Sequence, residues 1–536
     1  MNVSGVIQPA EQPIARLLWS DSTATANLTL GGLAAAKVLV QLAGINHYGF
    51  FRDELYYMAC GEHLAWGYID QPPLIALVAW VARHLFGPSL APSLVSVRLF
   101  PILAGAAVVF ITGLLAREFG GGLLAQFLSA TAVLLAPANL AFDSFLSMNA
   151  FEPLFWLLCA WIVVRIVKGA SPRLWLAFGA IAGIGIENKH SMLVFGFAIC
   201  AGLLLSGEYS VFRSRWIWLA ALIALLLFLP NLVWEARHGW PQIEVVRNAQ
   251  QLKNEPISPI RFLGEQVLFL HPVALPVWLG GLVWLFASGE GKRFRFLGWA
   301  YVLVLAIFIF MHGKTYYPLP FYPMLMAAGG VAFETVGTFS IASIPIGRPV
   351  AAAYPIVLIV AGLVTIPFGV PLLSVDAFIR YSQAIPLSSN VKTERDATVA
   401  LPQLYADMFG WDNMAATVAG VYHSLPASER AGCAILAGNY GEAGAIDYYG
   451  PRLGLPKAIS GHNSYFDWGP RGYTGECVII FGERSAEFSK LFGDVQRVAT
   501  ITNPHAMVVE QNVPVFLCRK PSAPLSVLWP NFKMII

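Results

Sequence analysis

Charge is what this sequence has least of. Asp, Glu, Lys and Arg make up 12% of its 536 residues, against 57% hydrophobic, whereas a soluble domain carries about 25% charged residues. An ordinary water-facing surface is thereby excluded for most of the chain. Net charge is only +3 and no basic stripe stands out, so the electrostatic footprint of a nucleic-acid partner is missing. The six cysteines form no CxxC pair and no Cys/His cluster. Zinc spacing is therefore absent, while a disulfide is left open. No His/Asp spacing suited to another metal is visible, so no metal or other cofactor is expected, with a loosely held divalent cation left open. The first 27 residues hold no hydrophobic segment and end in Ser, Thr, Asn and Ala, which argues against a cleaved signal peptide. They read as a cytoplasmic N-terminal segment, 1–27, leading into a retained first helix.

What the chain has in abundance is long apolar runs. They recur from Leu28 to about Ser374, each about 18 to 25 residues and so long enough to cross a hydrocarbon core of about 30 Å as a helix. The spacing predicts spans at 28–46, 97–117, 121–138, 150–167, 174–188, 190–206, 216–233, 264–287, 296–312, 318–337 and 350–374, eleven crossings in all. Pro73 to Phe86 is apolar but short, with Arg83 and His84 near its end, and reads as an interfacial or re-entrant helix. From Asp376 onward charge returns to ordinary density, and Cys433 to Gly438 and Cys477 to Gly482 read as buried strands. The expected fold is thus a polytopic α-helical membrane protein, with a membrane domain at 28–375, an outer loop at 47–96 and a soluble α/β domain at 376–536.

Basic residues fix the orientation. With the N-terminus cytoplasmic, the cytoplasmic turns hold Arg117, Lys168 with Arg173, Arg213 with Arg215, Lys292 with Arg293 and Arg295, and Arg348, as the positive-inside rule requires. The odd number of crossings then puts the C-terminal domain on the extracytoplasmic side of the cell inner membrane. The same orientation collects Asp53, Glu54, Glu62, Asp70, Asp143, Glu187, Lys189, His190, Glu235, His238, His312 and Lys314 on the outer face. Ionisable groups in or beside membrane spans are expensive to desolvate and usually face a cavity or one another, so this cluster marks a site. Residues of ordinary water-facing loops would look the same, though Asp53, Lys189 and Lys314 sit beside apolar helices with no solvated charge run around them.

The first outer loop is the most informative segment: His47-Tyr48-Gly49-Phe50-Phe51-Arg52-Asp53-Glu54-Leu55-Tyr56-Tyr57, then Trp66-Gly67-Tyr68-Ile69-Asp70-Gln71-Pro72-Pro73-Leu74. Asp53 and Glu54 suit the first turn of a short helix, where the macrodipole favours negative charge; capping alone would account for them. The aromatic residues suit a membrane-interface belt and a sugar-stacking surface equally. Farther along, Trp234 to Arg261 reads as a long outer loop that either covers a cavity or lies on the surface.

An Asp-Glu pair soon after the first crossing, with Asp-X-Pro-Pro-Leu about seventeen residues later, resembles the protein O-mannosyltransferase and aminoarabinose-transferase group, which are GT-C type glycosyltransferases; Asp53, Glu54, Pro72, Pro73 and Leu74 carry the match. Val97-Arg98-Leu99-Phe100-Pro101, Lys189 and Tyr316-Tyr317-Pro318-Leu319-Pro320 extend the likeness over residues 28 to 340. Gln71 stands where members often have Lys or His, and Met148-Asn149 where many bacterial relatives have Thr-Asp. The resemblance implies a polyprenyl-phosphate sugar donor, an acceptor hydroxyl on a lipid, glycan or protein, and inversion at the anomeric carbon. It gives Asp53 the role of general base, with Glu54 orienting or binding. Lys189, Lys314, Arg98 and His312 would face the donor phosphate, although Arg98 could instead pair with a loop acid. Substrate contacts are expected from Tyr57, Asp70, Gln71, Tyr316 and Tyr317, and from His462, Asn463 and Tyr465 in a Gly-His-Asn-Ser-Tyr run found in bacterial members with an extra domain. Two other classes compete: a transporter or flippase, which would place charges nearer the midplane and show repeats, and a non-catalytic envelope scaffold.

Overall fold

In the computed structural model, residues 22–85, 93–253, 257–336, 347–385, 401–482 and 484–536 are described. Most of the expected segment 1–27, outer-loop residues 86–92, residues 386–400 and the side chain of Arg348 lie outside them. The apolar runs fold as helices because their own backbone bonds are the only ones available in lipid. Chain order gives α1 (Thr23–Gly44), α2 (Arg52–Glu62), α3 (Leu74–Leu85), α4 (Leu94–Glu118), α5 (Leu123–Leu134), α6 (Pro137–Phe142), α7 (Met148–Val167), α8 (Leu174–Asn188), α9 (Ser191–Leu205), α10 (Arg215–Arg237) and α11 (Pro241–Asn248). Then come α12 (Pro259–Phe269), α13 (Leu275–Ala287), α14 (Arg295–Phe310), α15 (Tyr322–Val336), α16 (Gly347–Gly369) and α17 (Val375–Ala384).

Among the described residues six helices, against the eleven crossings expected, are long and apolar enough to cross a membrane, or seven if the α12–α13 pair, bent by 95°, is one broken span. That bend falls at His271-Pro272, where the proline lacks an N–H and His271 has φ 78. Close helix approach rests on small residues. At Gly329 on α15 a Cβ would stand 1.9 Å from the Val277 carbonyl oxygen, and at Gly281 on α13 it would stand 2.0 Å from that of Leu325, so only glycine fits this contact.

Two expected loops are largely helical. The first outer loop folds into α2 and α3, the latter too short at 12 residues to span about 30 Å at 1.5 Å per residue. The stretch from Trp234 is not the open loop expected. Helix α10 continues to Arg237, Trp240 turns the chain at φ 62, and α11 starts at Pro241 and runs into a π-helical turn at Ala249–Lys253. Proline at the first helical position, with Glu235 accepting from the Gln242 N–H, favours that restart.

The C-terminal region adds α18 (Trp411–Ser424), β1 (Cys433–Ala437), α19 (Tyr440–Tyr449), β2 (Ile459–Ser460), α20 (Ser464–Trp468), β3 (Cys477–Phe481), β4 (Phe492–Ile501) and β5 (Val513–Pro521). The sheet has order β2-β1-β3-β5-β4, with β2, β1 and β3 parallel and β5 and β4 antiparallel. Cys433 and Cys477 open the β1–β3 register and are disulfide-bonded, resolving what the spacing left open. One sheet face, with Ala434, Leu436, Val478 and Ile480, packs on Leu525, Leu528, Trp529 and Phe532. The other, with Ile435, Ile479 and Phe481, shares a single core with α18 and α19 and with Leu55, Tyr56 and Tyr57 of α2. The sheet is thereby packed directly onto the first outer loop.

Candidate active site

Helix α2 begins with three charged residues that face different ways, since successive helical positions differ by about 100°. Glu54 turns inward. Its Oε2 accepts from the Phe51 N–H at 2.8 Å, its Oε1 from the Leu146 N–H at 2.9 Å, and the Arg98 guanidinium grips both oxygens at 2.8 and 3.0 Å. Arg98 also donates to the carbonyls of Ile45 and Gly49, and both side chains are 0% exposed. This corrects two expectations. Arg98 pairs with the loop acid rather than standing open to a phosphate, and Glu54 is enclosed rather than open to substrate; together they tie the end of α1, α2, α4 and the 143–147 turn into one body.

Asp53 turns outward and is 28% exposed. Its Oδ1 accepts from the Tyr440 hydroxyl at 2.9 Å, with Arg52 Nε 3.9 Å away. Arg52 in turn lies over the Tyr440 ring, 5.7 Å from its centroid, and 3.7 Å from Asp407. Asp70 lies close by. The Tyr56 hydroxyl donates to its Oδ1 at 2.7 Å and accepts from the Ser464 N–H at 3.2 Å. Burial pushes the Asp70 carboxyl up to about 6, against the opposing hydrogen bonds from Tyr56 and Asn463 and with the Asp53 charge adding to the rise. Tyr57, buried between them, has its phenol pushed up by burial and by the charges of Asp53 and Asp70. Gln71, expected at substrate, is instead 0% exposed, with its amide against Cys60 Sγ.

A second group gathers cations. Lys189, the residue that ends α8, donates to Asn149 Oδ1 and Glu152 Oε2, both at 2.8 Å, and sits 4.7 Å from the Tyr317 ring centroid. Lys314 lies 5.8 Å from the Tyr316 ring. His312 occupies an exposed turn at φ 51. The rings of Phe51, Phe145, Phe142 and Tyr316 link this group to the start of α2, at successive spacings of 4.2, 6.5 and 5.2 Å. Below it, Lys37 of α1 pairs with Asp143 at 2.8 Å and donates to the Asn139 carbonyl, with Lys37 0% exposed. The structure thus places Asn149 directly on Lys189.

The three C-terminal residues expected at substrate divide. Asn463 reaches Asp70 and also bonds the Ile536 backbone. The His462 ring packs on Tyr440 at 4.6 Å while its Nδ1 accepts the Tyr440 N–H, which places its proton on Nε2. Tyr465 is only 1% exposed and donates to Asp447, so it supports the core rather than the site. Sequence reading missed Tyr440, Tyr56, Glu152 and Lys37. Lys37 and Glu152 carried a signal, each a charge inside an apolar span. Among the described residues no three His, Cys, Asp or Glu side chains converge as metal ligands.

Residues 70–234 match the family of dolichyl-phosphate-mannose-protein mannosyltransferases. Lipid A galacturonosyltransferase RgtD of Rhizobium johnstonii is 27% identical over 191 residues, 35% of this chain, and the chain spans only 39% of that relative's length. Among solved structures, ArnT from Cupriavidus metallidurans in the apo state aligns at a TM-score of 0.58 with 14% identity, over 92% of this chain and 98% of ArnT. The same protein bound to undecaprenyl phosphate aligns at 0.57 with 13% identity, over 91% and 97%. Arabinofuranosyltransferase AftD from Mycobacteria aligns at 0.51 with 15% identity, over 92% of this chain and 40% of AftD. The resemblance to this group of glycosyltransferases stands on a match that takes in Pro72-Pro73-Leu74 and begins after Asp53 and Glu54, and the fold is shared with ArnT.

Proposed function

We propose that this chain moves a sugar from a polyprenyl-phosphate-linked donor to a hydroxyl of a lipid, glycan or protein acceptor, on the extracytoplasmic face of the inner membrane and with inversion. The observation that carries the reading is Asp53. It is a partly exposed carboxylate fixed at one oxygen by Tyr440, and a run of rings from the neighbouring Phe51 to Tyr316 leads on to the cations Lys189 and Lys314. In the reaction the acceptor oxygen bonds to the anomeric carbon, the bond from that carbon to the phosphate oxygen breaks, and the acceptor proton passes to Asp53. Polyprenyl phosphate departs as an anion, its developing charge met by Lys189 and Lys314. Lysine suits a leaving group that must be released, being a movable point charge rather than a planar fork. Lys189 now rests on Glu152 and Asn149 and reaches the phosphate by exchanging those partners.

The donor class rests on the fold shared with a protein that binds undecaprenyl phosphate. The outer location rests on the basic turns taken as cytoplasmic, on an odd number of crossings, and on the Cys433–Cys477 disulfide, a bond that persists in oxidising compartments. Purified protein offered a panel of polyprenyl-phosphate sugars should form product with one of them, and Asp53→Asn should lower that rate by about 10² to 10⁴, the usual contribution of a positioned base. Turnover by Asp53→Asn at the unaltered rate would overturn the assignment of the base. Failure with every donor and acceptor would overturn the reaction class.

A further inference from the structure

In a sheet with parallel strands the loops that leave the strand carboxyl ends gather along one edge, where α/β proteins bind their ligands. Here β2, β1 and β3 run parallel, so Gly438 to Tyr440, Gly461 to Ser464 and Gly482 emerge along the same edge. Against the first two loops lie the outer-loop acids: Asp53 on the Tyr440 hydroxyl, and Asp70 on Asn463 and on the Tyr56 that meets Ser464. The Ile69 N–H also donates to Ser464 Oγ at 3.2 Å.

The loop that carries Tyr440 is tightly built. Asn439 caps α19 by accepting from the Glu442 N–H at 3.0 Å, and Glu442 Oε2 accepts from the N–H groups of Gly438 and Asn439 at 2.7 and 3.0 Å. Asn439 Nδ2 donates to Glu510 at 3.0 Å, which brings in the chain between β4 and β5. The ring itself is held between Tyr56 at 4.7 Å and His462 at 4.6 Å, with Arg52 beyond. Helix α19 meets α2 so closely that a Cβ at Gly441 would stand 2.4 Å from Arg52 Cγ. Burial alone would be satisfied by phenylalanine in that slot. The hydroxyl adds a hydrogen bond to Asp53 Oδ1, which fixes the carboxylate and leaves Oδ2 for the acceptor.

We infer that the carboxyl edge of the C-terminal sheet is half of the active site, and that Tyr440 is a positioning residue that aims Asp53 at the acceptor hydroxyl. The inference rests on the transfer reaction proposed above. The C-terminal domain then acts in the chemistry through Tyr440, which holds the base in a reactive orientation, and removing that bond lets the carboxylate swing among rotamers and lowers the fraction of productive encounters.

The test uses the full chain and the donor that the wild type accepts. Tyr440→Phe, Asp53→Asn and the double variant are compared by kcat, by KM and by thermal unfolding. Tyr440→Phe should lower kcat about tenfold with the KM for donor changed less than twofold and the unfolding midpoint close to wild type. In the Asp53→Asn background the same substitution should change the residual rate less than twofold, because the group it positions no longer takes a proton. Wild-type turnover by Tyr440→Phe, or an equal loss in both backgrounds, overturns the positioning role and leaves the transfer reaction standing. A wild type that transfers no sugar from any donor overturns the transfer reaction and, with it, this inference.

Discussion

Asp53 and Glu54 are neighbours in sequence with the same chemistry, and their environments give them opposite tasks. Glu54 lies in a closed shell of donors, from Phe51, Leu146 and Arg98. Asp53 keeps one oxygen on Tyr440 and a face open to solvent. A buried ion pair adds little stability over an apolar replacement, but losing one partner strands the other charge at a cost of about 3 to 5 kcal/mol. Arg98→Met should therefore lower thermal stability by that order, with Glu54→Gln in the same chain recovering part of the loss. The double variant unfolding no later than Arg98→Met, in a detergent melt followed by tryptophan fluorescence, would show that the pair is not a closed unit. The adjacent acids were legible as the opening of a helix, but which of them faced outward was not. That depended on Arg98, which lies 44 residues away.

At the scale of elements, the apolar runs gave helices close to where their lengths placed them, because in lipid only helices or closed barrels satisfy the backbone. The segment from Trp234 was misread because its polar residues look like a loop, whereas Pro241 at a helix start and the Glu235 carboxylate on the Gln242 N–H build α11. The β1 and β3 strands were readable from short apolar runs, and their pairing was not. Helix contacts were equally hidden. The α13–α15 approach needs Gly329, whose missing side chain admits the Val277 carbonyl. Gly329→Leu should force the two helices apart, so the variant should fail to accumulate or should melt well below the wild type. A wild-type yield and melting midpoint for Gly329→Leu would mean that the two helices can part here without loss of the fold.

For the whole molecule, the decisive feature is how the sheet domain sits on the first outer loop, with one hydrophobic core running from Ile435 and Phe481 through α19 to α2. In the proposed orientation that assembly lies outside. Val527 is 64% exposed on the C-terminal domain, so a cysteine introduced there should react with a membrane-impermeant maleimide in intact spheroplasts. Labelling only after lysis would reverse the orientation and remove the outer site.

The sequence by itself determined the membrane-type helical class, the rise in charge density after Val375 and the set of ionisable groups, Asp53, Asp70, Lys189 and Lys314 among them, that the proposed orientation faces outward. These follow from local properties: run length, charge density and the side of the membrane on which basic turns fall. Tertiary structure alone decided which of those groups meet. Tyr440 reaches Asp53 across 387 positions and Ser464 reaches Tyr56 across 408. No periodicity encodes a contact of that separation; it arises because parallel strands bring their carboxyl ends to one edge, and the shared apolar core presses that edge against α2.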